Sequence, residues 1–348
     1  MGGNALRLAS KPTETSRISL DVYDVIKLLL FSLLSAYSPQ VPPELPDKDD
    51  HGDIDIVCVV LSPETFVDEI CTLFKTDHDH IYINGDTVSV PFEHNGQVYQ
   101  VDLNRVTSLE KQKMMLVYKS YGIIGAILGR MANWYKLHYG GQGLFLEILV
   151  KNKPTIQFIL SSEPVDIFEF LHLDYRYFVE VVPTLTKDTY YNIFEWVTMS
   201  PLFSPSIYAH FVGKKYDELR PFYRDFLDYI RRPKYTDREK KEFVSLADDA
   251  VNYFNKREHH QSIMDNLKAQ EEIEKARKEK FTTKNLIDAF MSIKKYQLKG
   301  AEIGKLLKSF EEFCTKNLST FDEYLDRSDK ATLKEMVEDF VNVYHLSI

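Results

Sequence analysis

The sequence predicts an α+β fold, with a mixed or antiparallel sheet and its helices over residues 1–160 and an all-helical part over 161–348. Three observations predict it. Runs of β-branched residues with period-two alternation fall in the first 160 residues. Two Asn-Gly pairs, Asn84-Gly85 and Asn95-Gly96, separate such runs, and this dipeptide is the strongest short signal for a hairpin because both turn residues must tolerate positive φ. Beyond Ser161 the strand signals largely cease and apolar residues recur at helical spacing, as in Ile167, Phe168, Phe170 and Leu171 and again in Phe222, Phe226, Leu227 and Ile230. A chain of 348 residues with 44% hydrophobic content can bury the core that two domains need.

The first element is a helix from Ser19 to Tyr37, with Ser19 as its cap. Val22, Ile26, Leu29 and Leu33 recur at helical spacing, and Leu28, Leu30 and Leu34 are apolar too, so burial is expected on most of its circumference. A proline-rich loop follows (Ser38 to Pro46), with an acidic segment, Asp47 to Asp50, after it; this is either a flexible flap or a solvated connection. The strand His51 to Val60 comes next. Along a strand, side chains alternate, so Asp53 and Asp55 share one face while Ile54, Ile56, Cys58 and Val60 face the core.

Ser62-Pro63 starts a helix whose core side is Phe66, Ile70, Leu73 and Phe74. Asp77-His78-Asp79-His80 reads as a polar turn, since four successive residues do not converge on one ion without a special loop. The two hairpins then place strands at residues 81–83, 87–92 and 98–106. On the last, Tyr99, Val101 and Leu103 face one way and Val98, Gln100 and Asp102 the other. A helical stretch with Gly122, Gly125 and Gly129 lacks the Gly-Lys-Ser/Thr ending of a P-loop, so its glycines serve close packing. Strands over 144–150 and 155–160 complete the first domain. In the second, the mixed-sign span 267–280 is a solvated helix face, and the aromatic residues Tyr175 to Phe203 are core in the main, with one or two available to stack a base.

A net charge of −9 disfavours a broad electrostatic grip on nucleic acid, though not a local basic groove. Cys58, Cys71 and Cys314 have neither metal-ligand nor redox spacing and fit reduced thiols in a cytoplasmic compartment. The most apolar run, Val25 to Ala36, is too short to span a bilayer and too acidic at its front for a signal peptide, so no membrane partner is expected. Oligomeric state is left open.

If the strand of Asp102 lies in one sheet with that of Asp53 and Asp55, the three carboxylates cluster. Such a cluster suits two hard cations such as Mg²⁺, with Mn²⁺ as a substitute, placed to activate an attacking oxygen and steady a leaving phosphate. The alternative is a polar sheet face that only meets water.

Gly52-Asp53-Ile54-Asp55-Ile56-Val57, with Asp102 on a later strand, resembles the signature of the DNA polymerase β-like nucleotidyltransferases, nearest to CCA-adding enzymes and poly(A) polymerases. The resemblance implies a palm-like catalytic domain, transfer from an NTP (ATP or CTP), and two Mg²⁺ ions held by Asp53, Asp55 and Asp102. Asp102 would hold the ion that activates the hydroxyl and could take its proton. It also implies a glycine pair on the triphosphate. The nearest pair is Gly2-Gly3, which together with Asn4 and with Gly52 beside the acids makes up the nucleotide-binding candidates; the pair lies far ahead of Gly52, so either it returns through space to the site or it is a frayed terminus. Arg130 and Lys136 are further candidates for phosphate contact, or ordinary surface cations.

Residues 281–287 and 298–307 are similar to a helical element in the C-terminal half of bacterial CCA-adding enzymes and poly(A) polymerases that helps hold RNA. Lys295, Lys299 and Lys305 make this region locally basic and are the RNA-binding candidates. The implied function is template-independent addition of nucleotides to an RNA 3′ end. Its rivals are nucleotidyl transfer to a protein or small molecule, and a non-catalytic binding or scaffold protein of the same fold.

Overall fold

A computed structural model describes residues 3–45, 48–150, 154–186, 188–210, 221–235, 246–280, 283–292, 301–316 and 330–344. It is an α+β protein with a mixed sheet and many helices. The chain gathers into two compact units, Met1–His260 and Gln261–Ile348.

In the first unit a 3₁₀ turn (Ala5–Leu8) and strand β1 (Ile18–Ser19) lead into helix α1 (Leu20–Leu33). Strand β2 (Asp50–His51) pairs antiparallel with β1, and β3 (Asp53–Val59) follows at once. Helix α2 (Pro63–Phe74), strands β4 (Tyr82–Asn84), β5 (Thr87–His94) and β6 (Gln97–Val106), and helix α3 (Leu109–Lys119) come next. The four-stranded sheet has the order β3-β6-β5-β4, with β3 parallel to β6 and the other pairs antiparallel. A crossover places β3 beside β6 although a hairpin pair separates them in sequence.

The alternation read from the sequence decides which face is core. Ile54, Ile56 and Cys58 of β3, Val60 just after it, and Tyr99, Val101 and Leu103 of β6 are buried against α1 and α2, where Phe66 and Ile70 meet them. Both hairpins form, in different ways. Asn95 and Gly96 both take positive φ (52° and 75°), whereas β4 runs through Asn84 and only Gly85, at φ 58°, needs the left-handed region there.

Helix α1 departs from expectation. Only the stripe Tyr23, Ile26, Leu30 and Leu34 is buried, while Val25, Leu28 and Leu29 are 47%, 68% and 44% exposed. The helix lies on one face of a sheet, and such a contact covers a single stripe however many apolar residues the helix carries. Leu30→Ala should therefore cost about 2–5 kcal/mol of stability, and Leu28→Ala no more than about 0.5 kcal/mol, in denaturant unfolding. Equal losses would show that the outer stripe is packed as well.

The described part of the proline-rich loop is a strap and not a flap. Gln40 pairs with Val57 in both directions (3.1 and 2.7 Å), the Gln112 amide donates to the Ser38 carbonyl (2.6 Å), and the Tyr121 amide donates to Pro43 (2.7 Å).

Helix α4 (Ile124–Trp134) leads to a three-stranded antiparallel sheet of β7 (His138–Gly140), β8 (Gly143–Ile148) and β9 (Ile156–Ser161). The sequence signalled the last two; β7 was too short and too mixed to read. Helices α5 (Pro164–Phe170), α6 (Asn192–Met199), α7 (Pro205–His210), α8 (Pro221–Ile230) and α9 (Leu246–Tyr253) close the unit around an aromatic core. Phe168, Phe178, Phe194, Trp196, Tyr208 and Phe226 are buried there. The Tyr208 hydroxyl donates to the Ile127 carbonyl (3.2 Å) and Tyr135 to Leu202 (2.9 Å), tying these helices to α4.

Helix α10 (Arg257–Lys280) precedes α11 (Thr283–Ser292), α12 (Ala301–Lys316) and α13 (Lys330–Tyr344). In the second unit Phe290, Leu306, Phe310, Met336, Val337 and Phe340 form a small core. No helix among the described residues is long and apolar enough to cross a membrane.

Candidate functional site: a carboxylate face

The parallel register sets Asp55 directly beside Asp102 and Asp53 beside Gln100. Side chains at paired positions of neighbouring strands share a face, so all three acids lie on the side of the sheet opposite the α1–α2 core. Position 104, two beyond Asp102, puts Asn104 on that face too.

Each carboxylate is held by the chain itself. Asp53 Oδ2 accepts from the Gly3 backbone amide at 2.9 Å. Asp55 Oδ1 accepts from Lys119 Nζ at 2.8 Å and from Asn104 Nδ2 at 3.1 Å. Asp102 Oδ1 accepts from Gln100 Nε2 at 2.8 Å. Among the described residues no group of three or more His, Cys, Asp or Glu side chains is arranged to hold a metal ion.

The electrostatics follow from burial and repulsion. Burial raises the Asp53 carboxyl above the usual range, and the neighbouring Asp55 charge adds to this; the Gly3 amide, Lys48 and Lys119 pull the other way. Asp102 is pushed up to about 7, first by burial and then by Asp53 and Asp55, against hydrogen bonds from Ser89 and Gln100. Burial and the crowding of carboxylates thus both disfavour the charged form on this face.

The N-terminal segment reaches this face. Gly3 sits at φ +82°, and a Cβ there would lie 2.0 Å from the Gly52 carbonyl oxygen. The contact brings Gly3 onto buried Gly52, across about fifty residues of sequence, while Asn4 is exposed and Gly2 lies outside the described residues. The Thr15 hydroxyl fixes the Gly3 carbonyl at 2.7 Å.

Other candidates fall elsewhere. Arg130 is buried and lays its guanidinium over the Tyr223 ring at 4.3 Å, within the aromatic helices. Lys136 is exposed in the turn after α4, with a left-handed backbone of φ 62°. Lys305 is exposed on α12, and Lys295 and Lys299 lie outside the described residues.

Several residues at the face were not singled out from sequence. Lys119 is the last residue of α3, and nothing local marks it, because its partner lies 64 positions away. Gln100 and Asn104 had a signal, the same period of two that marks Asp102. His51 is buried, stacks on Tyr23 at 3.9 Å between ring centroids, and meets Glu44 at 3.1 Å through Nδ1, walling the entry to β3. No protein-family model matches the chain, and no curated protein matches it.

Proposed function

We propose that this protein is a metal-dependent nucleotidyltransferase that moves a nucleotide from an NTP to a hydroxyl, with the 3′ end of an RNA as the favoured acceptor. The observation that carries the reading is the gathering of Asp53, Asp55 and Asp102 on one sheet face with Gly3 against Asp53.

The donor chemistry suits Mg²⁺, three carboxylates of hard oxygen on one face, though each is turned to a hydrogen-bond partner within the chain and the three are not arranged around an ion. Drawing them onto an ion costs the hydrogen bonds each now makes. When bound, Mg²⁺ would lower the pKa of the attacking hydroxyl and neutralise charge on the triphosphate. Asp53 and Asp55 would be shared ligands, and Asp102 would serve the hydroxyl side and accept its proton. Lys119, freed from Asp55, would supply a point charge to phosphate oxygens. Phosphoryl transfer asks for little beyond such alignment and neutralisation.

Lys119→Met should lower the rate of nucleotide addition by about a hundredfold to a thousandfold, the scale of losing one pre-organised partner of the transition state, while the chain stays folded. An unchanged rate would reduce Lys119 to a structural counterion.

The RNA assignment draws on the basic character of the stretch from Lys294 to Lys308 in a chain of net charge −9. Incubation with each labelled NTP, Mg²⁺ and mixed RNA, resolved on a gel, tests the proposal. Extended RNA supports it, and label on a protein or small molecule instead moves the acceptor. No transfer of any label points to a non-catalytic binding protein.

A further inference from the structure

We propose that Gln100 is a positioning residue that couples the N-terminal segment to the third carboxylate. The inference rests on the nucleotidyl-transfer reading and adds to it a residue that touches no reacting atom.

The geometry is specific. Gln100 is 1% exposed, and its single amide is used at both ends. Oε1 accepts from the backbone amides of Ala5 (2.8 Å) and Leu6 (3.4 Å), the start of the 3₁₀ turn. Nε2 donates to Asp102 Oδ1 at 2.8 Å. An amide accepts at its oxygen and donates at its nitrogen, so this one side chain bridges the two.

Asn104, two residues beyond Asp102, makes the contrast. Its Nδ2 donates to Asp55 (3.1 Å), to the Ile56 carbonyl (3.3 Å) and to the Asp102 carbonyl (3.2 Å), while its Oδ1 accepts from the Thr87 hydroxyl (2.8 Å). Asn104 is thus anchored wholly within the sheet. Gln100 instead ties Asp102 to a segment that joins the site from the start of the chain, the same segment whose Gly3 amide holds Asp53. Seating of the segment and orientation of Asp102 are therefore one event: a ligand that gathers the carboxylates steadies the turn, and by linkage a seated turn favours that ligand.

The test uses the full chain without an N-terminal tag, as wild type, Gln100→Met and Gln100→Glu. Met matches the glutamine in length and shape but offers neither contact; Glu keeps the acceptor for Ala5 and Leu6 and loses the donor to Asp102. Trypsin nicking after exposed Arg7 is followed by mass spectrometry, and Mn²⁺ binding by electron paramagnetic resonance. In metal-free protein, nicking should rise about tenfold in the Met variant, as a local anchor is lost, and stay near the wild-type rate in the Glu variant. Mn²⁺ affinity should fall about tenfold in the Met variant, the scale of removing a group that orients a ligand. Mn²⁺ should slow nicking of wild type but not of Gln100→Met.

Nicking of the Met variant at the wild-type rate, or slowing of its nicking by Mn²⁺ as in wild type, overturns the coupling. Should the Met variant fail to fold, faster nicking of Gln100→Glu than wild type overturns it instead. Wild-type protein that binds no Mn²⁺ sinks the nucleotidyl-transfer reading, and the Gln100 anchor is then decided on the nicking rates alone.

Discussion

Asp102→Asn should abolish the proposed nucleotide addition and, in the absence of metal, stabilise the protein at alkaline pH. The first effect is the loss of a ligand and proton acceptor, expected to lower the rate by at least about a thousandfold, the upper range for removing one pre-organised electrostatic partner of a transition state. The second follows from the folded state itself. The Asp102 carboxyl is raised from an ordinary value of 3.8 to about 7 by burial and by the charges of Asp53 and Asp55. Folding therefore favours its neutral form. The stability this lends is fully present below the ordinary carboxylate range and is lost as pH rises through about 7. At pH 8 the metal-free wild type carries the strain of an ionised Asp102, on the order of a few kcal/mol. Asparagine has no charge to acquire, and its side-chain oxygen can still accept from Gln100. Thermal melts with a chelator at pH 5.5 and pH 8 should show wild type losing stability between the two and Asp102→Asn losing less. Added Mn²⁺ should restore the wild type more at pH 8 than at pH 5.5, since bound metal needs the carboxylate form. Parallel melting curves for the two proteins at both values would remove the crowding of charge on which the proposed metal site depends.

The parts of this face that local pattern encodes were legible in the sequence. Period-two alternation put Asp53 and Asp55 on one side of β3 and Asp102 with Gln100 on one side of β6, and the structure keeps both assignments. The two Asn-Gly hairpins fixed the order β4, β5, β6, although neither could say that β3 would join β6 in parallel. What the sequence hid are contacts between distant residues. Lys119 reads as a common helix-end lysine until the fold brings it to Asp55. Arg130 reads as an accessible cation, yet α4 turns it into the aromatic helices, where a guanidinium can be buried by stacking on a ring. Apolar composition alone over-predicted the burial of α1, because composition does not tell how many faces of a helix find a partner.

Gly3→Ala should detach the N-terminal segment from the site and weaken NTP binding on the order of tenfold to a hundredfold, as loss of groups that orient a site does. The cause is backbone geometry. At φ +82° an alanine is strained, and its Cβ would stand 2.0 Å from the Gly52 carbonyl oxygen. That obstacle is main chain at the entry to β3, so no side chain can swing aside; the segment itself must lift. Lifting it removes the Gly3 amide from Asp53 and carries the Ala5 and Leu6 amides away from Gln100. Within the turn only Leu6 is buried, so the sheet core survives and the melting temperature falls by several degrees, on the order of the 1.5–3 kcal/mol that burying one leucine contributes. Leu8→Ala, at the exposed end of the same turn, is the control and should bind NTP as wild type does. Affinity for a fluorescent ATP analogue with Mg²⁺, measured beside a thermal melt for each variant, separates the outcomes. A Gly3→Ala chain that binds as tightly as wild type would exclude the N-terminal glycine from the nucleotide site. A chain that loses both binding and its cooperative melt would show instead that the segment is part of the fold on which the carboxylates stand.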